Sequence, residues 1–235
     1  MPVYGSIFAA LSIASFVGAA RGGVWLALTW PGVAFAVVVY AYLTRQPRVL
    51  GKRADGSFAW WRRLFFLPFI VFSEGAWHLF AAVTREDAYN AVAPGVWVGR
   101  WPEGGHLPEG VDVVVDVTAE LPAHRRVIRE KRYVCLPAMD ATVPEESAFR
   151  ALVAELADAR GGIFVHCAFG HGRSAMLAGA LLVARGLAPD AAAAEGAMRR
   201  ARPGISLSGL QRAYVERFAA ARGSTRPEVK SPPLA

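Results

Sequence analysis

The sequence predicts an α/β fold: a mostly parallel sheet flanked by helices, preceded by an N-terminal transmembrane helical hairpin. Three observations carry this reading. Four short β-branched runs alternate with helical patterns through the second half of the chain, which implies parallel strands with helices on both faces. Two long stretches near Met1 hold no charge. Hydrophobic residues make up 54% of the 235 residues, and mean hydropathy is +0.30, high for a wholly soluble chain.

The uncharged stretches come first. Pro2 to Ala20 and Gly22 to Thr44 are separated by Arg21 alone. Each is long enough to cross about 30 Å of hydrocarbon as a helix. Trp25, Trp30, Tyr40 and Tyr42 are amphipathic aromatics of the kind that favour interfaces, and a membrane bundle tolerates a kink at Pro31. A cleaved signal peptide is the competing reading of the first stretch. However, "MPVYGS" lacks the basic start of such a peptide, and a second apolar stretch follows at once. Neither stretch has the polar face of a soluble helix pair. Residues 1–44 are therefore expected to form two transmembrane helices.

Residues 45–89 read as a basic linker and an interfacial helix. Arg45, Arg48, Lys52, Arg53, Arg62 and Arg63 oppose one acid, Asp55. Positive flanks stay cytoplasmic and attract anionic head groups. The protein is thus expected to be multi-pass, with its C-terminal domain facing the cytoplasm. In the apolar run Leu64 to Val83, Glu74 and His78 share a helical face with Arg85. That suits a helix lying on the membrane or against the domain. A third span is the alternative, but it would carry the cysteine loop described below out of the reducing cytoplasm. Glu74 and His78 have a solvated face as their ordinary reading and a catalytic or metal pair as the sharper one.

Residues 90–223 read as the α/β domain. Strands are expected at Gly95–Gly99, Val111–Thr118, Arg132–Ala138 and Gly162–Cys167. Pro144 with Glu145 and Glu146 opens a helix, where acids favour the amino-terminal dipole. "SAMLAGALLVARG" ends in a glycine cap. "PDAAAAEGAMRRA" and "LSGLQRAYVERFAAARG" are further helices. Residues 224–235 have the composition of a disordered tail.

The chemistry lies in "HCAFGHGRS", His166 to Ser174. A cysteine attacks as its thiolate, and a helix amino terminus and a nearby cation both favour that form. Cys167 sits between a strand and a helix start, six positions before Arg173. Amides of Ala168, Phe169, Gly170, His171 and Gly172 can cradle an anion, and the glycines permit the backbone angles of a tight loop. Arg173 adds a two-pronged donor for phosphate oxygens. Ser174 can hydrogen-bond the sulfur and ease its departure. Together these parts describe a phosphate pocket with a nucleophile at its floor, suited to in-line attack and a cysteinyl-phosphate intermediate. No cofactor or metal is required. The opposing reading of Cys167 is an inert buried cysteine. Cys135, inside a strand, reads as core, with a redox partnership to Cys167 as its alternative.

"HCAFGHGRS" resembles the H-C-x5-R-S/T signature of the protein-tyrosine-phosphatase superfamily, and the short domain is most similar to its dual-specificity branch. "APGVWVGRWP" is similar to the opening strand of such domains, and "RPGISLSGLQRAYVERF" to their closing helix. The resemblance covers roughly Asn90 to Gly223. It implies that Cys167 is the nucleophile, that Arg173 binds phosphate, and that His166 orders the loop. It also implies an aspartate acid on a loop before the signature. Asp140 in "LPAMDATVPEES" follows a strand at the carboxyl edge of the sheet, where such folds bind ligands. It is the expected acid in the first step and base in the second. Asp116 and Glu120 are reserves, with turn or capping roles as their ordinary reading.

The implied activity is a membrane-anchored phosphatase acting on phosphotyrosine, phosphoserine or phosphothreonine protein, or on a phospholipid head group. The alternatives are a non-catalytic phosphate-binding membrane adaptor and a related cysteine-loop sulfurtransferase or arsenate reductase. The basic run Arg125, Arg126, Arg129, Lys131 and Arg132 can meet acidic substrate, or simply be a solvated helix face. His171 is the loop's only extra potential cation, where phosphoinositide-cleaving relatives often carry lysines. Phe169 can pack on a substrate or fill core. Net charge is +7, but much of it flanks the apolar stretches, so nucleic acid is not an expected partner.

Overall fold

The computed structural model describes residues 3–223; the predicted tail at 224–235 lies outside them. α1 (Val3–Ala19) and α2 (Thr29–Thr44) form a helical hairpin, joined through a 3-10 turn at Gly23–Leu28. Ser12 Oγ donates to Gly32 O at 2.9 Å across the pair. Gly32 leaves room for the Phe16 ring, which would lie about 3.1 Å from any Cβ there. Two spans are expected from the sequence. One helix, Gly23–Thr44, has the length and apolarity to cross a membrane; α1 is shorter, at 17 residues. The apolar window within Gly23–Thr44 is 28% buried.

α3 (Trp60–Phe65) and α4 (Leu67–Val83) follow, broken at Phe66 just before Pro68. The break follows from proline, which lacks an N–H and is tolerated only in a helix's first turn. Phe69 and Ile70 of α4 join Phe8, Phe35, Val38 and Tyr42 in one buried cluster. Farther along, Trp77 meets Trp101 edge-on at 5.3 Å. α4 thus bridges the hairpin and the sheet domain. His78 lies 3.5 Å from Glu103 on the exposed side, and no metal-binding cluster is present among the described residues.

The sheet contains β1 (Tyr89–Ala93), β2 (Val96–Gly99), β3 (Val111–Thr118), β4 (Arg132–Ala138) and β5 (Gly162–His166). Their order is β1-β2-β5-β3-β4. Only β1 runs antiparallel, as an edge strand paired to β2. β1 is the strand the sequence pattern does not reveal, because "YNAVA" is half-exposed and barely alternates. α5 (Arg125–Glu130) precedes β4. α6 (Glu146–Ala157), α7 (Arg173–Ala184), α8 (Ala191–Ala201) and α9 (Gly209–Gly223) complete the domain. Glu145 caps α6 through the amides of Ser147 and Ala148. α7 is buried on nearly every side, which its run of alanine and leucine allows. β5 lies at the centre of the sheet and α7 is buried against it, so both ends of the loop joining them are held in the core.

Candidate active site

The loop between β5 and α7 wraps around a buried sulfur. Cys167 Sγ accepts the Gly170 amide at 3.2 Å and lies 3.3 Å from Ser174 Oγ. Gly170 has φ +79°, and a Cβ there would collide with the Gly99 and Arg100 backbone. Gly172 needs no left-handed angle, with φ −106°. Its missing side chain instead leaves space for Gln211.

The loop's carbonyls are held outward by Arg202. Its guanidinium donates to Gly170 O at 3.1 Å and to Phe169 O at 3.0 Å. It also donates to Asp87 O and Asn90 Oδ1, both at 2.8 Å. With these two carbonyls tied outward, the loop amides are free to face the sulfur. Arg202 has no motif around it beyond "RPG", and its role is not legible in the sequence.

Arg173 is fully buried and its fork is occupied. Nη1 donates to Glu120 Oε2 and to Ala138 O, both at 2.8 Å, and Nη2 to Glu120 Oε1 at 2.6 Å. A guanidinium has five N–H donors, so these three bonds leave one on Nη2 and one on Nε. Nε has no hydrogen-bond partner among the described residues. Burial opposes the Arg173 charge, but Glu120 and Asp140 outweigh it and push its pKa further up. Glu120 is thus a clamp on Arg173 rather than a turn residue. The available signal is that a buried arginine needs a carboxylate partner, and Glu120 follows the strand beside β5.

Asp140 and Cys167 line one cleft of about 290 Å³. The carboxylate accepts from the Ala141 amide at 3.0 Å and lies 3.5 Å from Arg173 Nε. Ala141 has φ +57°, a left-handed angle that a non-glycine residue adopts at a cost. The structure therefore brings Cys167, Arg173, Ser174 and Asp140 together, with loop residues Phe169, His171 and Gly172 on the same cleft.

Asp116 is elsewhere and enclosed. Lys52 Nζ, from the basic linker, reaches its Oδ2 at 2.7 Å, with both side chains fully buried. Lys52 also donates to Thr118 O at 3.0 Å and Thr118 Oγ1 at 2.7 Å. Tyr133 donates to the same carboxylate at 2.7 Å, and His166 Nε2 lies 3.8 Å away. Burial alone would raise the Asp116 pKa; Lys52 and His166 hold it far below the ordinary range. Burial, joined by Lys52, lowers the His166 pKa despite Asp116. A reserve acid at Asp116 is therefore excluded by its enclosure. Burial pushes the Cys135 thiol up to about 12 despite Lys52, with Asp116 adding to the rise. A protonated thiol is a poor redox partner.

Phe169 and His171 face a neighbouring helix. Phe80 of α4 meets Phe169 at 4.8 Å and His171 at 5.6 Å. His171 also bonds Glu86 at 2.6 Å. Of the basic run, Arg126 pairs with Glu130 and Arg132 with Glu155, on a solvated face.

Residues 106–219 match the family described as "PTP-SAK: Swiss Army Knife protein, DSP-PTPase phosphatase domain". The match supports a dual-specificity-phosphatase-like domain. Solved structures share the fold. PTPMT1 in complex with PI(5)P is 21% identical, with TM-score 0.51, over 59% of this chain and 98% of that one. Human DUSP28 is 22% identical, with TM-score 0.52, over 59% and 97%. A mouse putative dual specificity phosphatase complexed with zinc tungstate is 19% identical, with TM-score 0.51, over 60% and 95%. No curated protein matches the chain.

Proposed function

We propose that this protein is a membrane-anchored phosphomonoesterase that works through a cysteinyl-phosphate intermediate. The observation that carries the reading is the buried Cys167 sulfur between the Gly170 amide and Ser174, with Arg173 Nε free of a hydrogen bond and Asp140 on the same cleft. A phosphate seated in the loop places phosphorus in line with the sulfur. The S–P bond forms as the P–O bond breaks, and Asp140 protonates the departing oxygen. Water then attacks phosphorus, Asp140 takes its proton, and Ser174 stabilises the leaving thiolate. The loop amides and Arg173 offset the charge that grows on the equatorial oxygens.

Membrane anchoring is supported by the distribution of apolar surface. Among the described residues, 21 of the 23 exposed large hydrophobic side chains lie between Val3 and Val83. Soluble proteins rarely leave so much apolar surface open to water in one segment. α1 and α2 act as the anchor and α4 as an interfacial helix, with the basic linker and the domain on the cytoplasmic side. The deciding experiment is Cys167→Ser in the full-length protein. It should abolish hydrolysis of an aryl phosphate, and full activity in that variant would refute the mechanism.

A further inference from the structure

One wall of the cleft belongs to the first helix. Tyr4, in the first turn of α1, lines the cleft together with Cys167 and Asp140 and is 37% exposed at its rim. Tyr4 and the Asp140 carboxylate thus face the same cleft. One turn on, Phe8 stacks with Phe35 at 5.9 Å and Tyr42 at 6.1 Å, and meets Phe69 edge-on at 5.2 Å. Met139, beside Asp140, and Ala119, beside Glu120, are buried in the same cluster. The cleft wall is therefore continuous with the apolar helices. Phe80 of α4 backs the phosphate loop from another side.

The head-group level follows from the anchors. Trp60 and Trp61 are 78% and 53% exposed, and they follow the basic cluster at the domain end of α2. Aromatic and basic residues of this kind sit at the membrane–water interface. Tyr4 lies at the same end of the hairpin, since Phe8 one turn on stacks with Tyr42 in the last turn of α2, and in the anchored orientation proposed above the cleft would open toward the head groups. A folded phosphoprotein would have to thread a side chain past Tyr4 with the bilayer alongside. In that anchored orientation a lipid head group would be there already. Among the described residues that line the cleft there is no lysine or arginine, and Ser206, Ser208 and Gln211 on its wall are uncharged, which suits a single phosphate better than several.

We infer that the site takes its phosphate from a membrane lipid, as a single lipid phosphomonoester that enters past Tyr4 while its chains remain beside α1 and α4. This rests on the phosphatase reading above. The test uses the full-length protein in nanodiscs, with three substrates in parallel. They are an aryl phosphate, a soluble phosphotyrosine peptide, and discs carrying phosphatidic acid or phosphatidylinositol 5-phosphate. Confinement to the bilayer predicts at least about a 100-fold preference in kcat/KM for one of the lipids over the peptide. Tyr4→Ala should narrow that preference by about tenfold, a ratio that partial loss of folded protein cannot change. Aryl phosphate turnover with equal or better use of the peptide would overturn the lipid inference and leave the phosphatase reading standing. An unchanged ratio in Tyr4→Ala would remove Tyr4 from it. No aryl phosphate turnover at all would defeat the phosphatase reading and the inference together.

Discussion

Replacing Lys52 by methionine isolates the contact between the basic linker and the sheet. The stem of methionine fills much of the same space, but the ammonium is gone. Asp116 then stays buried with no opposing charge, since both partners are fully enclosed. Removing one partner of a buried ion pair costs about 3–5 kcal/mol. Asp116 would keep the bonds from Thr118 N, Thr118 Oγ1 and Tyr133, so the lower half of that range is expected. For a chain of this size about 3 kcal/mol corresponds to roughly 6–12 °C in melting temperature.

The pH dependence gives a second readout. In the native protein Lys52 depresses the Asp116 pKa, so its contribution is intact above the unfolded value of about 3.9 and is lost below it. Without Lys52, burial raises the pKa instead. The variant then folds with a protonated Asp116 more readily as pH falls, and its deficit should be larger at about pH 7 than at about pH 5. Thermal melts of both proteins in one detergent, at both pH values, measure this. Adding Asp116→Asn should recover part of the loss. A Lys52→Met deficit under about 1 kcal/mol, or one that grows in acid, would refute the reasoning.

Glu120→Gln keeps the shape of the Arg173 clamp but removes its charge. Activity toward an aryl phosphate and inhibition by inorganic phosphate should both weaken by about 10–100-fold, as for a lost charge-assisted bond; unchanged inhibition would argue against the clamp. Asp140→Asn should slow an alkyl phosphate by about 10²–10⁴-fold and an aryl phosphate with a good leaving group much less. Equal losses would remove Asp140 as the acid. The folded pKa of His166 lies below its unfolded value of about 6.5, so stability should fall as pH drops through about 6.5, where the unfolded chain takes the extra proton. His166→Gln should flatten that slope in melts from about pH 7.5 to 5, and an unaltered slope would assign it to other groups.

The sequence reads well where one local rule decides the outcome. β3 and β4 have the bounds expected from their β-branched runs; central β3 is apolar on both faces, while β4 forms the sheet edge. The strand–loop–helix placement of Cys167 and Arg173 follows from glycine and helix-start signals. It fails where a residue's role depends on a partner far along the chain. Glu120 and Arg173 are 53 positions apart, and Lys52 and Asp116 are 64 apart. Arg202 holds the loop from 32 positions beyond Gly170. Nothing in the local spacing of any of these residues reports the partner. The same limit applies to Phe169 and His171, whose neighbour Phe80 belongs to a different helix.

These long-range contacts share a direction. Lys52 enters from the linker, Tyr4 from α1 and Phe80 from α4, and each meets the sheet at or beside the phosphate loop. Asp116 faces His166 across β3 and β5, so Lys52 contacts the sheet partner of the residue that precedes Cys167. Met139 sits in the hairpin's cluster while its neighbour Asp140 faces the cleft. A fragment beginning at Asn90 would therefore lose more than an anchor. It would leave Asp116 unpaired, expose Met139 and Ala119, and remove a cleft wall. Those costs fall on the groups that shape the candidate site, so the N-terminal helices are part of its architecture.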